Sequence, residues 1–382
     1  MNNVIKILEE LIEIDSINPF SINKLDLNGV KKWILDGNES KISNYLEEKI
    51  KKCGFKTSRQ KVHHNKNGQI FYNILGEKGY GNKSILFYGH MDTVTSKPWR
   101  SKEDALNPVK KIRKIFGKKV ETIVGLGSND MKAGLAVISN AFSDINPKDY
   151  KIKVAFGVDE EFYSLGGNVL AKSSFLDDVV AIVVPEIGDG PNQSYGPESI
   201  TLGRLGRCEY VIEVPGTGGH GAQANNPDFV NAATESSKLA MEIDKESKKS
   251  KDILKFFNED VFDKKAKKEI EGSFFVSRID AGDGSLSIPA RSTVIVDWTF
   301  TPKLTIDKNL KYLEHLIDSM YERGILKKTY ISGIFEKIKV KTRPRPTTPS
   351  GAYVTPSNHK FTVFVKKIVE KSVGFKNYNF GY

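Results

Sequence analysis

Two cysteines, Cys53 and Cys208, are all that 382 residues hold. They stand far apart in sequence, which excludes a disulfide framework and makes a reducing cytoplasm the expected location. No run approaches 18 uninterrupted apolar residues, so no membrane span is expected. The opening stretch, MNNVIKILEELIEIDSINPF, lacks a basic n-region, an apolar h-region and a small-residue cleavage site. It therefore reads as a first helix, with Val4, Leu8, Leu11 and Ile12 at helical spacing, and not as a signal peptide. Internal repeats and long low-complexity tracts are missing too. Acid is in deficit, with 47 Asp and Glu against 58 Lys and Arg, for a net charge of +11. The excess sits in lysine clusters such as KKIRKIFGKK (110–119) and KESKKSKDILK (245–255). Lysines without interleaved aromatics make a weak nucleic-acid footprint, so these clusters read as solvated surface.

What is present is a chain long enough for two domains, with 39% hydrophobic residues to fill their cores. A second helix is expected around Glu39–Lys52, stopped by Gly54. Strands are expected at 70–76 and 84–89, and a lysine-rich loop at 97–119. A short strand and glycine turn lead into a helix of small residues within ETIVGLGSNDMKAGLAVISNAF. KIKVAFGVDEE (151–161) and VVAIVVPE (179–186) read as strands, with a helix near 165–174 between them. Alternating strands and helices indicate an α/β domain with a mostly parallel sheet and flanking helices. The Gly/Pro/Ser-rich segment GDGPNQSYGPESITLG (188–203) reads as a linker. Beyond it the order strand, helix, strand, strand, helix, strand, ending in YISGIFEKIKV, matches a ferredoxin-like unit. TRPRPTTPSGAYVTPSN (342–358) leads back to a helix in FTVFVKKIVEKSVG. The expected organisation is a catalytic domain of 1–203 plus 344–382, interrupted by an inserted α+β domain of 204–343.

Three apolar runs end in metal-ligand side chains. ILFYGH ends in His90, KVAFGVDEE in Asp159, Glu160 and Glu161, and AIVVPE in Glu186. The carboxyl ends of parallel strands form the ligand crevice of an α/β sheet, so these groups should converge. Asp130, where GLGSNDMKAG enters a helix, joins them. One histidine among several carboxylates suits Zn²⁺ or a related divalent ion. Clustered acids without a cation would raise each other's pKa. A pair of ions ~3.5–4 Å apart, bridged by one carboxylate, resolves that conflict.

With these residues in place, the sequence resembles the metal-dependent peptidases and deacylases that include succinyl-diaminopimelate desuccinylase, acetylornithine deacetylase, aminoacylase and glutamate carboxypeptidase. The likeness runs through LIEIDSINP, GHMDTV, GLGSNDMKAG, DEE and PEIGD, and then through GRLGRCEYVIEVPGTGGHGAQ and IPARSTVIVDWTFTP. It implies that His90 and Glu186 hold one Zn²⁺, that Glu161 holds a second, and that Asp130 bridges them. Co²⁺ and Mn²⁺ suit the same donors. Asp92 would orient the His90 imidazole. Glu160 would be the general base on a water between the ions. His220 would stabilise the oxyanion, acting from the other subunit of a dimer formed through the inserted domain. Arg291, in IPARS, is a candidate grip for a substrate carboxylate and reads equally well as a surface strand arginine. The implied activity is hydrolysis of the amide bond of an N-acyl amino acid or small peptide. A relative that binds such ligands without turnover is the other reading.

The family pattern has one more ligand, a histidine near the C-terminus. His63, His64, His315 and His359 all lack its setting. The chain is therefore expected to be either a truncated or a degenerate member, with the intact remaining ligands favouring truncation; it would hold one ion through His90, Asp130 and Glu186 and the second weakly, unless His359 takes the missing place. The run Ser285-Leu286-Ser287-Ile288-Pro289 lacks the asparagine that many relatives place before Ile-Pro, which counts against a desuccinylase-type substrate.

Overall fold

In a computed structural model the described residues are 2–18, 39–64, 69–115, 118–186, 199–249, 255–256, 270–345, 347, 349–374 and 377–381. Contacts divide the chain into two units, Met1–Ile187 with Arg345–Thr348, and Gly188–Pro344 with Pro349–Tyr382.

The first unit runs α1 (Asn2–Glu13), α2 (Ser40–Lys52), β1 (Lys56–His64), β2 (Ile70–Gly79), β3 (Ser84–His90), α3 (Lys102–Leu106), β4 (Val109–Ile115), β5 (Lys118–Val124), α4 (Ala133–Ala141), β6 (Lys151–Gly157), α5 (Leu165–Leu170) and β7 (Val179–Val183). Its sheet has the order β1-β2-β6-β3-β7. β6, β3 and β7 are mutually parallel, while β1 and β2 add antiparallel pairs, so the sheet is mixed. Ile42, Leu46 and Ile50 recur every four residues along α2 and, like Ile7 and Leu11 of α1, are buried. They join Leu135, Ala136 and Ile138 of α4 over the strand residues Phe71, Ile74, Val154 and Phe156. The small residues of α4 let backbones meet. A Cβ on Gly134 would lie 2.4 Å from the carbonyl oxygen of Pro185, beside Glu186. Residues Arg345–Thr348 belong here, and Thr347 donates its hydroxyl to the Tyr163 carbonyl.

The polar run before β2 is itself a strand. KTSRQKVHH forms β1, the outer strand of the sheet, where charged side chains meet water and protect an open edge. The lysine-rich stretch 97–119 is likewise structured, as α3 and the β4–β5 ribbon. Its lysines alternate with Ile112 and Val120, both exposed, so no apolar face marks it as a strand pair.

The second unit contains β8 (Ser199–Arg204), β9 (Gly206–Pro215), β10 (Gly219–His220), α6 (Ala232–Lys249), β11 (Lys255–Phe256), β12 (Ile270–Glu271), β13 (Ser273–Ala281), β14 (Ser287–Ile288), β15 (Arg291–Phe300), α7 (Ile306–Glu322), β16 (Thr329–Ile331), β17 (Ile334–Glu336), β18 (Lys339–Thr342), β19 (Tyr353–Val354), α8 (Lys360–Ser372) and β20 (Asn377–Gly381). Its antiparallel sheet has the order β13-β15-β9-β18, the ferredoxin-like arrangement. Alternate residues face the helices. Cys208, Tyr210 and Ile212 of β9 pair with Trp298, Val296 and Val294 of β15, and all are buried with Leu239 and Ile243 of α6 and Leu313 and Ile317 of α7. Gly206 pairs with Phe300, whose ring lies 2.4 Å from where a Cβ would stand.

YISGIFEKIKV runs through three short strands, not one. Ser332 and Gly333, both with positive φ, turn the β16–β17 hairpin, and β18 follows. The expected linker 188–203 ends in a strand, β8, which pairs with β19 and β20; residues 188–198 lie outside the described residues. The sequence assigns 199–203 and 349–382 to the catalytic domain. In the structure β8 pairs with β19 and β20, Ser350 bridges Arg207, and these residues fall with the second unit.

One buried cation in the first unit gives a prediction. Lys153, on central β6, is 4% exposed and donates to Asp178 and to the Phe175 carbonyl at 2.6 Å. Burial alone would raise the Asp178 pKa, but hydrogen bonds from Lys151 and Lys153 hold it down at about 2. The stabilisation is therefore complete above the unfolded value of ~3.9 and is lost as pH falls through the folded one. Asp178→Asn should cost about 3 kcal/mol at neutral pH. Urea midpoints of the two proteins should draw together as pH falls below about 4 and coincide only near pH 2. A difference that stays constant with pH would show that Asp178 does not stabilise as an anion.

Candidate metal centre

Strand register puts the donors at one level. β3 pairs with β6 through His90 and Gly157, two residues before Asp159, and with β7 through Phe87 and Val183. His90 and Glu186 each lie three residues past that last pair, so parallel strands carry them to the same height. Asp130 arrives from the turn before α4. Gly127 there has φ 70°, and a Cβ on it would strike Thr93 at 2.4 Å. The Asp130–Met131 peptide bond is cis.

His90, Asp130 and Glu186 offer ligand atoms that all lie within 4.8 Å of one another. His90 Nε2 stands 2.8 Å from Asp130 Oδ1, and its Nδ1 stands 3.0 Å from the Asp92 carbonyl oxygen. Glu161 is outside that trio. Its carboxyl is pushed up to about 8, first by burial and then by the Asp130 charge. The same two causes push Glu186 up to about 7. Burial opposes charge on His90, but the Asp130 and Asp92 carboxylates outweigh it and hold its pKa well above the usual histidine value.

The Asp92 side chain does more than face the imidazole, which it approaches at 3.4 Å. Its Oδ1 accepts the Glu160 N–H at 2.9 Å and its Oδ2 the Glu161 N–H at 3.0 Å. Asp92 therefore holds the backbone from which both glutamates project. Asp159 makes this turn with φ 56° and donates its N–H to the buried Glu39 carboxylate at 2.7 Å. Asn18 donates one amide group to both Asp92 and Asp159. Lys132 is 1% exposed and donates to the Ile14 carbonyl at 3.0 Å; burial lowers its pKa to about 8, against the pull of Asp15.

Asn18, Glu39 and Lys132 were not legible as site residues. Asn18 precedes a proline at a helix end and reads as a turn residue; Glu39 reads as a helix start. His220 and Arg291 belong to the second unit, and both are exposed. His220 Nδ1 accepts the Ala222 N–H at 3.2 Å. His359 caps α8 by accepting the Phe361 N–H. His63 of β1 stacks on Phe71 of β2, His315 is an exposed residue of α7, and the side chain of His64 lies outside the described residues.

Residues 86–378 match the sequence profile of peptidase family M20/M25/M40. The chain belongs to this family. It is 28% identical to carboxypeptidase G2 of Pseudomonas sp. (strain RS-16) over 379 residues, which is 97% of this chain and 72% of that protein. It is 30% identical to acetylornithine deacetylase of Buchnera aphidicola subsp. Schizaphis graminum (strain Sg) over 226 residues, 58% of this chain and 50% of that one. A tripeptidase from Staphylococcus aureus superposes with a TM-score of 0.62 at 15% identity, covering all of this chain and 84% of the other. A dinuclear metal-binding M20 peptidase from Bacillus subtilis gives 0.56 at 10% identity, with coverage of 100% and 82%. At those identities the structures establish the α/β fold. As an M20 member, the chain is a metal-dependent hydrolase of amide bonds. Among the described residues no helix is long and apolar enough to cross a membrane.

The donor set fits an ion. One imidazole and two carboxylates whose ligand atoms lie within 4.8 Å of one another could serve as three ligands to a divalent metal. Because Glu161 and Glu186, pushed up to about 8 and about 7, carry protons part of the time at pH 7 without one, metal uptake should release protons. Calorimetry of Zn²⁺ binding at pH 7 in buffers of different ionisation enthalpy should show that release. Affinity should rise with pH up to about 8. Buffer-independent heats would remove these carboxyls from the site.

Proposed function

We propose that the chain hydrolyses the amide bond of an N-acyl amino acid or small peptide, with Glu160 as general base. The observation that carries this reading is the clustering of His90, Asp130 and Glu186 beside a turn whose Glu160 N–H is fixed on Asp92. His90, Asp130 and Glu186 would hold Zn²⁺, with Co²⁺ or Mn²⁺ as substitutes; Glu161 and Asp130 would serve a second ion. When bound, the metal supplies Lewis acidity that activates water and polarises the scissile carbonyl. Glu160 takes the proton from the attacking water and delivers it to the leaving amine. Asp92 keeps that carboxylate in place and fixes the imidazole through its own carbonyl. His220 would stabilise the oxyanion from the other subunit of a dimer and Arg291 would grip the substrate carboxylate, both as side chains of the inserted domain (204–343), with 1–203 and 344–382 as the catalytic domain. Carboxypeptidase and deacetylase names among the relatives support an amide substrate with a free amino-acid carboxylate. The two buried free cysteines support a reducing cytoplasm as its location.

Glu160→Gln should lower kcat roughly 10²–10⁴-fold on any N-acyl amino acid or dipeptide that the wild type cleaves. Zinc content by mass spectrometry should stay unchanged. Turnover within a few-fold of wild type would sink the assignment of Glu160.

The same reading includes a homodimer through the inserted domain. β13 is an outer strand of its sheet and leaves Phe275 53% and Ile279 42% exposed, a surface suited to a second copy. Light scattering at micromolar concentration should give twice the chain mass, and Phe275→Lys should halve it. A monomeric wild type would remove the dimer from the proposal.

A further inference from the structure

We infer that Asn18 is a positioning residue whose single carboxamide sets the spacing between the Asp92 end of β3 and the Asp159 turn that carries Glu160 and Glu161. Its Nδ2 donates to Asp92 Oδ2 and to Asp159 Oδ1, both at 2.8 Å. A primary amide has two N–H bonds on that nitrogen, so one group serves both acceptors. Asp92 and Asp159 are each 1% exposed, and two carboxylates in such a place repel unless something donates to both.

The chemistry favours asparagine over the alternatives. Lysine or arginine would bring a positive charge beside a cluster built to hold a cation. A hydroxyl has only one hydrogen to give. The amide satisfies both oxygens and leaves the charge of the cluster unchanged. Asn18 is itself fixed. Its N–H donates to the Thr93 carbonyl at 2.8 Å, and Thr93 returns its N–H to Ser16 at 3.0 Å. Ile17 pairs in parallel with Thr93, one residue past Asp92. Lys132, two residues past Asp130, holds the Ile14 carbonyl just upstream. The segment 14–18 thus links the turns bearing Asp92, Asp130 and Asp159.

Hydrogen exchange by mass spectrometry on the full chain tests the inference without reference to activity. Asn18→Leu keeps the shape and removes both donors; Asn18→Ser keeps one. Protection of the Glu160 and Glu161 amides should fall about tenfold in Asn18→Leu and less in Asn18→Ser, while α2 and β2 peptides keep theirs. Unchanged protection at Glu160 and Glu161, or equal loss throughout the first unit in both variants, would overturn it. Should Asn18→Leu fail to fold, Asn18→Ser decides by the same comparison. A kinetic arm rests on the function proposed above. There kcat should fall about tenfold in Asn18→Leu with KM within twofold, as loss of positioning predicts. A wild type that cleaves no amide would refute the proposed function and leave the exchange result to decide the role of Asn18.

Discussion

The buried carboxylate of Asp92 is the fixed point around which the candidate centre is arranged. An ionised carboxylate that is 1% exposed persists only if its oxygens are met by donors. Here the Glu160 and Glu161 amides, the Asn18 amide and the His90 ring meet them. Burial alone would raise its pKa; the His90 ring, Asn18 and the Glu160 N–H together hold it below the ordinary aspartate value. Because the donors come from β3, the α1 exit and the β6 turn, satisfying one charge aligns three separate segments. His90 is part of the same arrangement. With Nδ1 turned to the Asp92 carbonyl, Nε2 is left for the Asp130 side, the geometry a ligand imidazole needs.

Much of this was legible because parallel strands have a rigid period. Apolar runs ending in His90, Glu161 and Glu186 could be aligned without coordinates, since strands in a sheet deliver their ends to one edge. The inserted ferredoxin-like unit was legible for a similar reason: alternate residues of β9 and β15 are apolar on one face only. What escaped reading were elements whose sequence obeys water more than packing. β1 and the β4–β5 ribbon are polar or charged along most of their length, and exposed strands need no apolar period. β8, inside an apparent linker, shows how Gly and Ser report backbone freedom without forbidding a strand. Asn18 and Glu39 escaped for another reason. Their roles are hydrogen bonds to residues 74 and more positions away, and one-dimensional spacing carries no trace of these.

Charge balance ties the centre to its surroundings. Asp92, Asp130, Asp159, Glu161, Glu186 and Glu39 crowd one edge of the sheet, and burial is the first cause that raises the pKa of Glu39 well above the ordinary glutamate value and pushes up Asp159, Glu161 and Glu186 as well. The overall excess of lysine does nothing to relieve this, because exposed ammonium groups on the β4–β5 ribbon are screened by water and salt. Lys132 is the buried cation in the adjoining loop, and it is committed to a backbone carbonyl. A protein that invested only in folding would have thinned these acids, since each one left neutral by burial forfeits solvation and gains no ion pair. Asp92, Asp159, Glu161 and Glu186 follow the ends of three parallel strands, with Asp130 brought in from the turn before α4, and a divalent cation among them would offset their charge. Carboxylates that are poorly ionised alone become ionised when positive charge occupies the space between them. The family assignment and the electrostatics thus converge from independent directions. The first rests on sequence likeness along residues 86–378, and the second on the burial and spacing of side chains in the first unit.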